Sequence, residues 1–171
     1  MWCALAVSCL NASAQTTAVK TNLLYLATTT LNAAVETSLG KRTTLELSAA
    51  YNPWTFRSDK KMHLVMLQPE VKWWSCERYE GSFFGVHLIG AQFYGGFSSK
   101  LYDGYLAGVG ASYGKDWILS PHWNLEAEIG AGVARLWYKE SPNVPCMKCR
   151  ENKHRNYVGP TKAALSLVYL F

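Results

Sequence analysis

The chain has 171 residues, of which 49% are apolar and 13% aromatic, and a formal net charge of +5 at pH 7. Its mean hydropathy is −0.06, and no stretch approaches the ~18 to 20 apolar residues of a spanning helix, which excludes a helical membrane protein. One domain fits this length. Seven Trp, ten Tyr and thirteen Gly suit a β-barrel, either in a membrane with aromatic girdles or as a soluble lipocalin-like ligand binder.

Residues Trp2 to Leu10 form a short apolar run, followed by Asn11-Ala12-Ser13-Ala14-Gln15. The small residues Ala12 and Ala14 fit a signal-peptidase site, so residues 1–14 are expected to be a signal peptide and 15–171 the exported domain. The basic segment that normally opens such a peptide is missing, which reads as a truncated or misplaced start. Acylation at Cys9 would call for a Leu three residues earlier, where Ala6 stands.

Turn signals divide the remainder into eight segments near 18–27, 31–40, 43–52, 63–75, 82–95, 103–115, 122–138 and 159–171. In the third, Leu45, Leu47, Ala49 and Tyr51 alternate with Glu46, Ser48, Ala50 and Asn52. The sixth sets Tyr105, Ala107, Val109, Ala111 and Tyr113 against Gly and Ser, and the seventh sets Trp123, Leu125, Ala127, Ile129, Ala131 and Val133 against Asn124, Glu126, Glu128 and Gly. Aromatics end these apolar faces and aliphatics fill them, the profile of a lipid-facing band. The opposite faces collect Lys20, Glu36, Glu46, Glu70, Lys72, Glu126, Glu128 and Lys162. A soluble barrel would hold those charges in its core at high cost, whereas a small membrane barrel is polar inside. The expectation is an all-β, eight-stranded antiparallel transmembrane barrel. Its interior is wide enough only for side chains, so the charges are expected to form a salt-bridged plug and no conducting pore.

Counting from an inner N-terminus, the short connections at 40–42, 76–81 and 119–121 fall on one side. Those at 52–63, 95–103 and 139–157 fall outside, two of them long. The outer ones are basic. Arg57, Lys60 and Lys61 face Asp59, and Lys139, Lys148, Arg150, Lys153 and Arg155 face Glu140 and Glu151, giving +2 and +3, equal to the whole formal charge. Clustered positive charge attracts anionic surfaces, of which lipopolysaccharide is the nearest outside an outer membrane. Nucleic-acid motifs are absent.

Cys146 and Cys149 lie in the longest outer connection, where an exported protein forms a disulfide by default. Zinc, with His154 as a third ligand, would lack an evident fourth, so neither a metal nor another cofactor is expected. Cys76 reads as an unpaired thiol. An enzyme acting on membrane lipid would need His87 as base beside a Ser such as Ser38, Ser48 or Ser112. No motif ties any of them to His87, and no catalytic role is expected.

The chain ends on Ala163, Leu165, Leu167, Tyr169 and Phe171 at period two, a strand with one apolar face. It resembles the closing strand of bacterial outer-membrane barrels, which implies that Tyr169 and Phe171 form part of the signal read by the insertion machinery. Lys20-Thr21-Asn22-Leu23-Leu24-Tyr25, Tyr51-Asn52-Pro53-Trp54, Gln68-Pro69-Glu70, Phe83-x-Gly85-x-His87, Cys146-x-x-Cys149 and Gly159-Pro160-Thr161-Lys162 follow in order. Together they resemble a Bacteroidetes family of short exported proteins of unknown function. That resemblance implies an outer-membrane barrel of a Gram-negative cell, often encoded near fimbrial genes, with no reaction attached. The role expected is structural, adhesive or in assembly of a surface appendage. The rival readings are a lipid-modifying enzyme and a soluble lipocalin-like binder.

Overall fold

Period-two alternation gives strands because successive side chains leave a pleated backbone on opposite faces. A computed structural model describes residues 16–56, 60–97, 100–142 and 151–171, and contains β1 (Thr17–Asn22), α1 (Leu23–Ala27), β2 (Leu31–Ser38), β3 (Thr43–Phe56), β4 (Lys60–Trp74), β5 (Gly81–Phe97), β6 (Lys100–Ser120), β7 (Trp123–Pro142) and β8 (Glu151–Leu170). Each strand pairs antiparallel with the next, and β1 pairs with β8, closing the barrel. The all-β, eight-stranded architecture is the one the alternation predicts. Among the described residues no helix is long and apolar enough to cross a membrane. The expected signal peptide, Cys146, Cys149, Arg57, Lys148 and Arg150 lie outside the described residues.

Two expectations are corrected. The first segment is not one strand over 18–27: it is β1 followed by α1. Asn22 caps that helix, its side chain accepting from the Leu24 N–H at 3.0 Å, and Leu23-Leu24-Tyr25-Leu26-Ala27 has no alternation to hold it in a sheet. The connections at 52–63, 95–103 and 139–157 are also not mainly loops. β3 and β4 pair out to Phe56↔Lys60, β5 and β6 to Phe97↔Lys100, and β7 and β8 to Glu140↔Glu151. Apolar alternation stops at Asn52, Gly95 and Lys139, but antiparallel ladders continue wherever both faces can be polar.

One end of the barrel holds the start of β1, the end of β8 and the turns at 39–42, 75–80 and 121–122; it is called the terminal end below. The Phe171 N–H donates to the Thr17 carbonyl at 3.0 Å there. Away from that end β1 is short: it pairs with β8 only from Ala18↔Leu170 to Asn22↔Ser166. Beyond Ser166, β8 is laddered to β7 alone. β8 also carries an extra residue at Thr161, where Gly130 pairs with Lys162 and Ala131 with Pro160, a β-bulge that re-aims the chain.

The two faces are inverted relative to a soluble barrel. Leu47, Leu67, Leu88, Ile129, Val133 and Val158 are exposed, Ile129 by 72% and Val158 by 79%. Lys20, Glu36, Glu46, Glu70, Lys72, His87, Glu126, Glu128 and Lys162 are buried.

Candidate functional site: the charged interior

Inward positions along the strands stack into layers. Nearest the terminal end, Trp74, Tyr79 and Phe83 form an aromatic floor, with Trp74 4.7 Å from Phe83 and 6.0 Å from Tyr79 between ring centroids. The 75–80 turn swings Tyr79 inward, at positive φ. Its hydroxyl donates to the carbonyls of Thr16 and Glu36, both at 3.3 Å. Its own carbonyl accepts from Asn124 Nδ2 at 2.9 Å. Burial, and then the Glu36 carboxylate, hold its hydroxyl above the ordinary phenol range.

Above the floor lies the charge cluster. Lys20 Nζ pairs with Glu36, with Glu126 at 2.5 Å and with Glu46 at 3.2 Å. Lys72 Nζ sits 2.7 Å from Glu46 and 2.9 Å from Glu126, and 4.3 Å over the Phe83 ring. Lys162 Nζ pairs with Glu70, and with Glu46 and Glu128 at 3.0 Å each. The structure thus brings together all eight charges read from the alternation. It adds Asp116, buried beside them with no hydrogen-bond partner for either carboxylate oxygen among the described residues. The carboxylates of Glu36, Glu46 and Glu126, and of Glu46, Glu70 and Glu128, lie within 4.8 Å of one another, as cation ligands do. Lysine ammonium groups already supply positive charge to both sets.

A third layer joins three of the sequence motifs. His87 Nε2 lies 2.9 Å from Thr161 Oγ1, and Gln68 Nε2 donates to the Thr161 carbonyl at 3.4 Å. Ser112 Oγ donates to Glu70 Oε1, which lies 3.7 Å from His87 Nδ1. Glycine makes this layer possible: a Cβ at Gly110 would stand 2.5 Å from His87 Nε2, and one at Gly85 would run into Glu70 and Ser112. Of the serines weighed as nucleophiles, Ser112 is separated from the imidazole by the carboxylate, and Ser48 donates to the Gln68 carbonyl at 3.1 Å. A relay needs the base between nucleophile and acid; for Ser112 the acid stands between the other two. Beside these layers is a cavity of about 30 Å³, bordered by Lys20, Asn22, Tyr25, Glu128, Lys162 and Ser166. That space suits about one water.

Tyr169 packs edge-on against Phe171 and Trp123, both at 4.9 Å, and Phe171 is exposed. Cys76 is a free, half-buried thiol. Arg155 is exposed, whereas Lys60, Lys61 and Lys153 lie on strands with their side chains outside the described residues.

Residues 1–171 match the family described as "Protein of unknown function (DUF3575)". The chain belongs to the DUF3575 family. No curated protein matches it. Membership in DUF3575 attaches no reaction to the charge cluster, so chemistry has to be argued from the geometry.

Proposed function

We propose that this DUF3575 protein is an integral outer-membrane barrel of a Gram-negative bacterium, its apolar face in lipid and its interior closed by charge. The inversion of faces carries this reading. A soluble monomer rarely shows apolar patches beyond a few hundred Å², yet the outward aliphatics encircle this barrel. Aromatics bound the band: Phe84 and Tyr94 face outward on β5 ten residues apart. Ten residues span about 33 Å of strand, or roughly 25 Å of height at a tilt near 40°. A lipocalin-like barrel shares the closed eight-strand topology but would present a polar exterior and a ligand-sized cavity.

With the terminal end in the periplasm, the opposite ends of β3 to β8 point out of the cell, and the basic residues of 57–61 and 148–155 lie on those strand ends and in the sequence that joins them. Their charge supports contact with anionic lipopolysaccharide and a structural, adhesive or surface-assembly role beside an appendage such as a fimbria. The half-buried Tyr169 and the exposed Phe171 would be read by the barrel insertion machinery. The experiment is fractionation of cells expressing the full chain, with heat-modifiable gel mobility and planar-bilayer recording of the purified protein. Outer-membrane partition, a mobility shift and no stable conductance are expected. Recovery as water-soluble periplasmic protein would overturn the membrane reading, and sustained currents the closed interior.

A further inference from the structure

The outward face of β7 runs Trp123, Leu125, Ala127, Ile129, Ala131, Val133 and then Arg135, the first charge met in that row from the terminal end. Arg135 is exposed, and its Cζ lies 5.6 Å from the Trp137 ring, which itself stacks on Tyr105 at 5.1 Å. Among the described residues no carboxylate pairs with it. Its register neighbours are Ala107 on β6 and Asn156 on β8. Because Ala107 is small, a trough of about 440 Å³ opens on the outer wall, bordered by Ala107, Val109, Val133, Arg135, Asn156 and Val158. The Tyr157 hydroxyl at its edge is turned away to the Pro160 carbonyl, at 3.1 Å.

We propose that this trough holds one phosphate-bearing acyl lipid of the outer leaflet, the phosphate on Arg135 and Asn156 and an acyl chain over Ala107, Val109 and Val158. The inference rests on the membrane reading. An arginine on the lipid side of a barrel costs little only near the interface, which is where the Tyr105–Trp137 stack places this one. There a guanidinium resting over an indole keeps its fork of N–H donors for a planar or tetrahedral anion. Asn156 adds amide donors, and the valines give the chain an apolar bed. Lys115, 5.7 Å from the Trp117 ring near the terminal end, is a comparable outward cation on a different part of the wall.

The test is native mass spectrometry of the full chain in detergent micelles. The probes are a bis-phosphorylated acylated disaccharide lipid, the same lipid dephosphorylated, and inorganic phosphate alone. One phosphorylated lipid should be retained per chain, in preference to both other probes. Arg135→Gln should weaken retention roughly tenfold or more, as loss of a charge-assisted pair does. Ala107→Phe, which keeps the charge but fills the trough, should do likewise, and Lys115→Gln should not. Each variant is read after its heat-modifiable shift shows a folded barrel. If Arg135→Gln does not fold, Ala107→Phe decides. Equal retention of the dephosphorylated lipid, comparable protection by inorganic phosphate, or equal loss in Lys115→Gln would overturn the site while leaving the membrane barrel intact. A wild-type chain that stays soluble without detergent would remove both readings.

Discussion

Asn22 and Asn32 complete a sheet that their backbones leave open. The Asn22 N–H donates to Asn32 Oδ1 at 2.6 Å, and Asn32 Nδ2 donates back to the Asn22 carbonyl at 3.0 Å. On its other side, Asn22 Nδ2 donates to the Ala163 carbonyl at 3.1 Å, and its Oδ1 accepts from the Leu165 N–H at 3.3 Å. Where β1 stops, two side-chain amides therefore stand in for ladder bonds to β2 and β8. In lipid this matters more than in water, because unsatisfied backbone groups have no solvent to turn to. Nearby, Pro160 blunts the edge of β8, lacking an N–H and having its carbonyl capped by Tyr157.

Asn22→Ala should therefore lower barrel stability by about 1–3 kcal/mol, and Asn32→Ala by a similar amount, since each strands buried donors or acceptors. Asn32→Asp is expected to be as harmful as Asn32→Ala, because a carboxylate cannot donate to the Asn22 carbonyl. Urea titration of refolded protein, followed by heat-modifiable mobility, measures this. The double Ala variant should cost less than the two single changes added together, since both edit one network. Full additivity would mean that the two amides act independently.

Glu126 bridges two lysines, Lys20 at 2.5 Å and Lys72 at 2.9 Å. Removing its carboxylate leaves both ammonium groups more exposed to the uncompensated field of the other. Glu126→Ala is expected to cost about 3–5 kcal/mol, the usual penalty for stranding a buried charge. A midpoint unchanged in urea would show that water or the remaining carboxylates take over its place.

Asp116 should behave in the opposite sense. It stands directly across from Glu126 in the β6–β7 register, and its carboxylate oxygens lack hydrogen-bond partners among the described residues. Like charges opposed on neighbouring strands repel. Asp116→Asn is expected to raise stability by roughly 1 kcal/mol, removing that repulsion and a desolvated charge. A lower urea midpoint would show that the carboxylate has a compensating partner.

The contrast between Glu126 and Asp116 also marks what the sequence could carry. Period two placed the eight charges on one face, because alternation in a strand fixes sidedness without knowledge of neighbours. Asp116 escapes it because the sixth segment, bounded by the apolar alternation that runs to Tyr113, ends at Lys115, one residue short of it. The same stopping rule cuts β3 to β8 short of their full lengths, and it ends the β7 stripe at Val133, two residues before Arg135. Local alternation says nothing of who meets across the lumen. Gln68, His87 and Thr161 sit in separate motifs on β4, β5 and β8, and only curvature and stagger of the closed sheet bring them together. The α1 turn was missed because a cap such as Asn22 competes with strand propensity over only a few residues.

On the outer wall, Leu47 and Val109 are exposed by 50% and 43% near the middle of β3 and β6. Leu47→Arg and Val109→Arg should each disfavour insertion by ~2 to 4 kcal/mol if that face meets lipid. Refolding yields into liposomes at matched protein concentration report this directly. Wild-type yields for both variants would put the apolar face in water or against another protein.

The terminal strand offers the last test. The Phe171 N–H bonds the Thr17 carbonyl, Leu170 is buried, and Tyr169 is clasped between Trp123 and Phe171. A charged tag after Phe171 would thus attach to the rung that joins β8 to β1, the pairing that closes the barrel. The connection between Pro142 and Glu151 joins two strands that already ladder to each other over many residues, so an insertion there leaves closure untouched. Deleting Phe171, or tagging the end, should therefore reduce assembled protein in the membrane fraction far more than the same tag placed between Pro142 and Glu151. If the two tagged forms assemble equally by heat-modifiable mobility, then neither closure at Thr17 nor recognition of the terminal aromatic limits assembly.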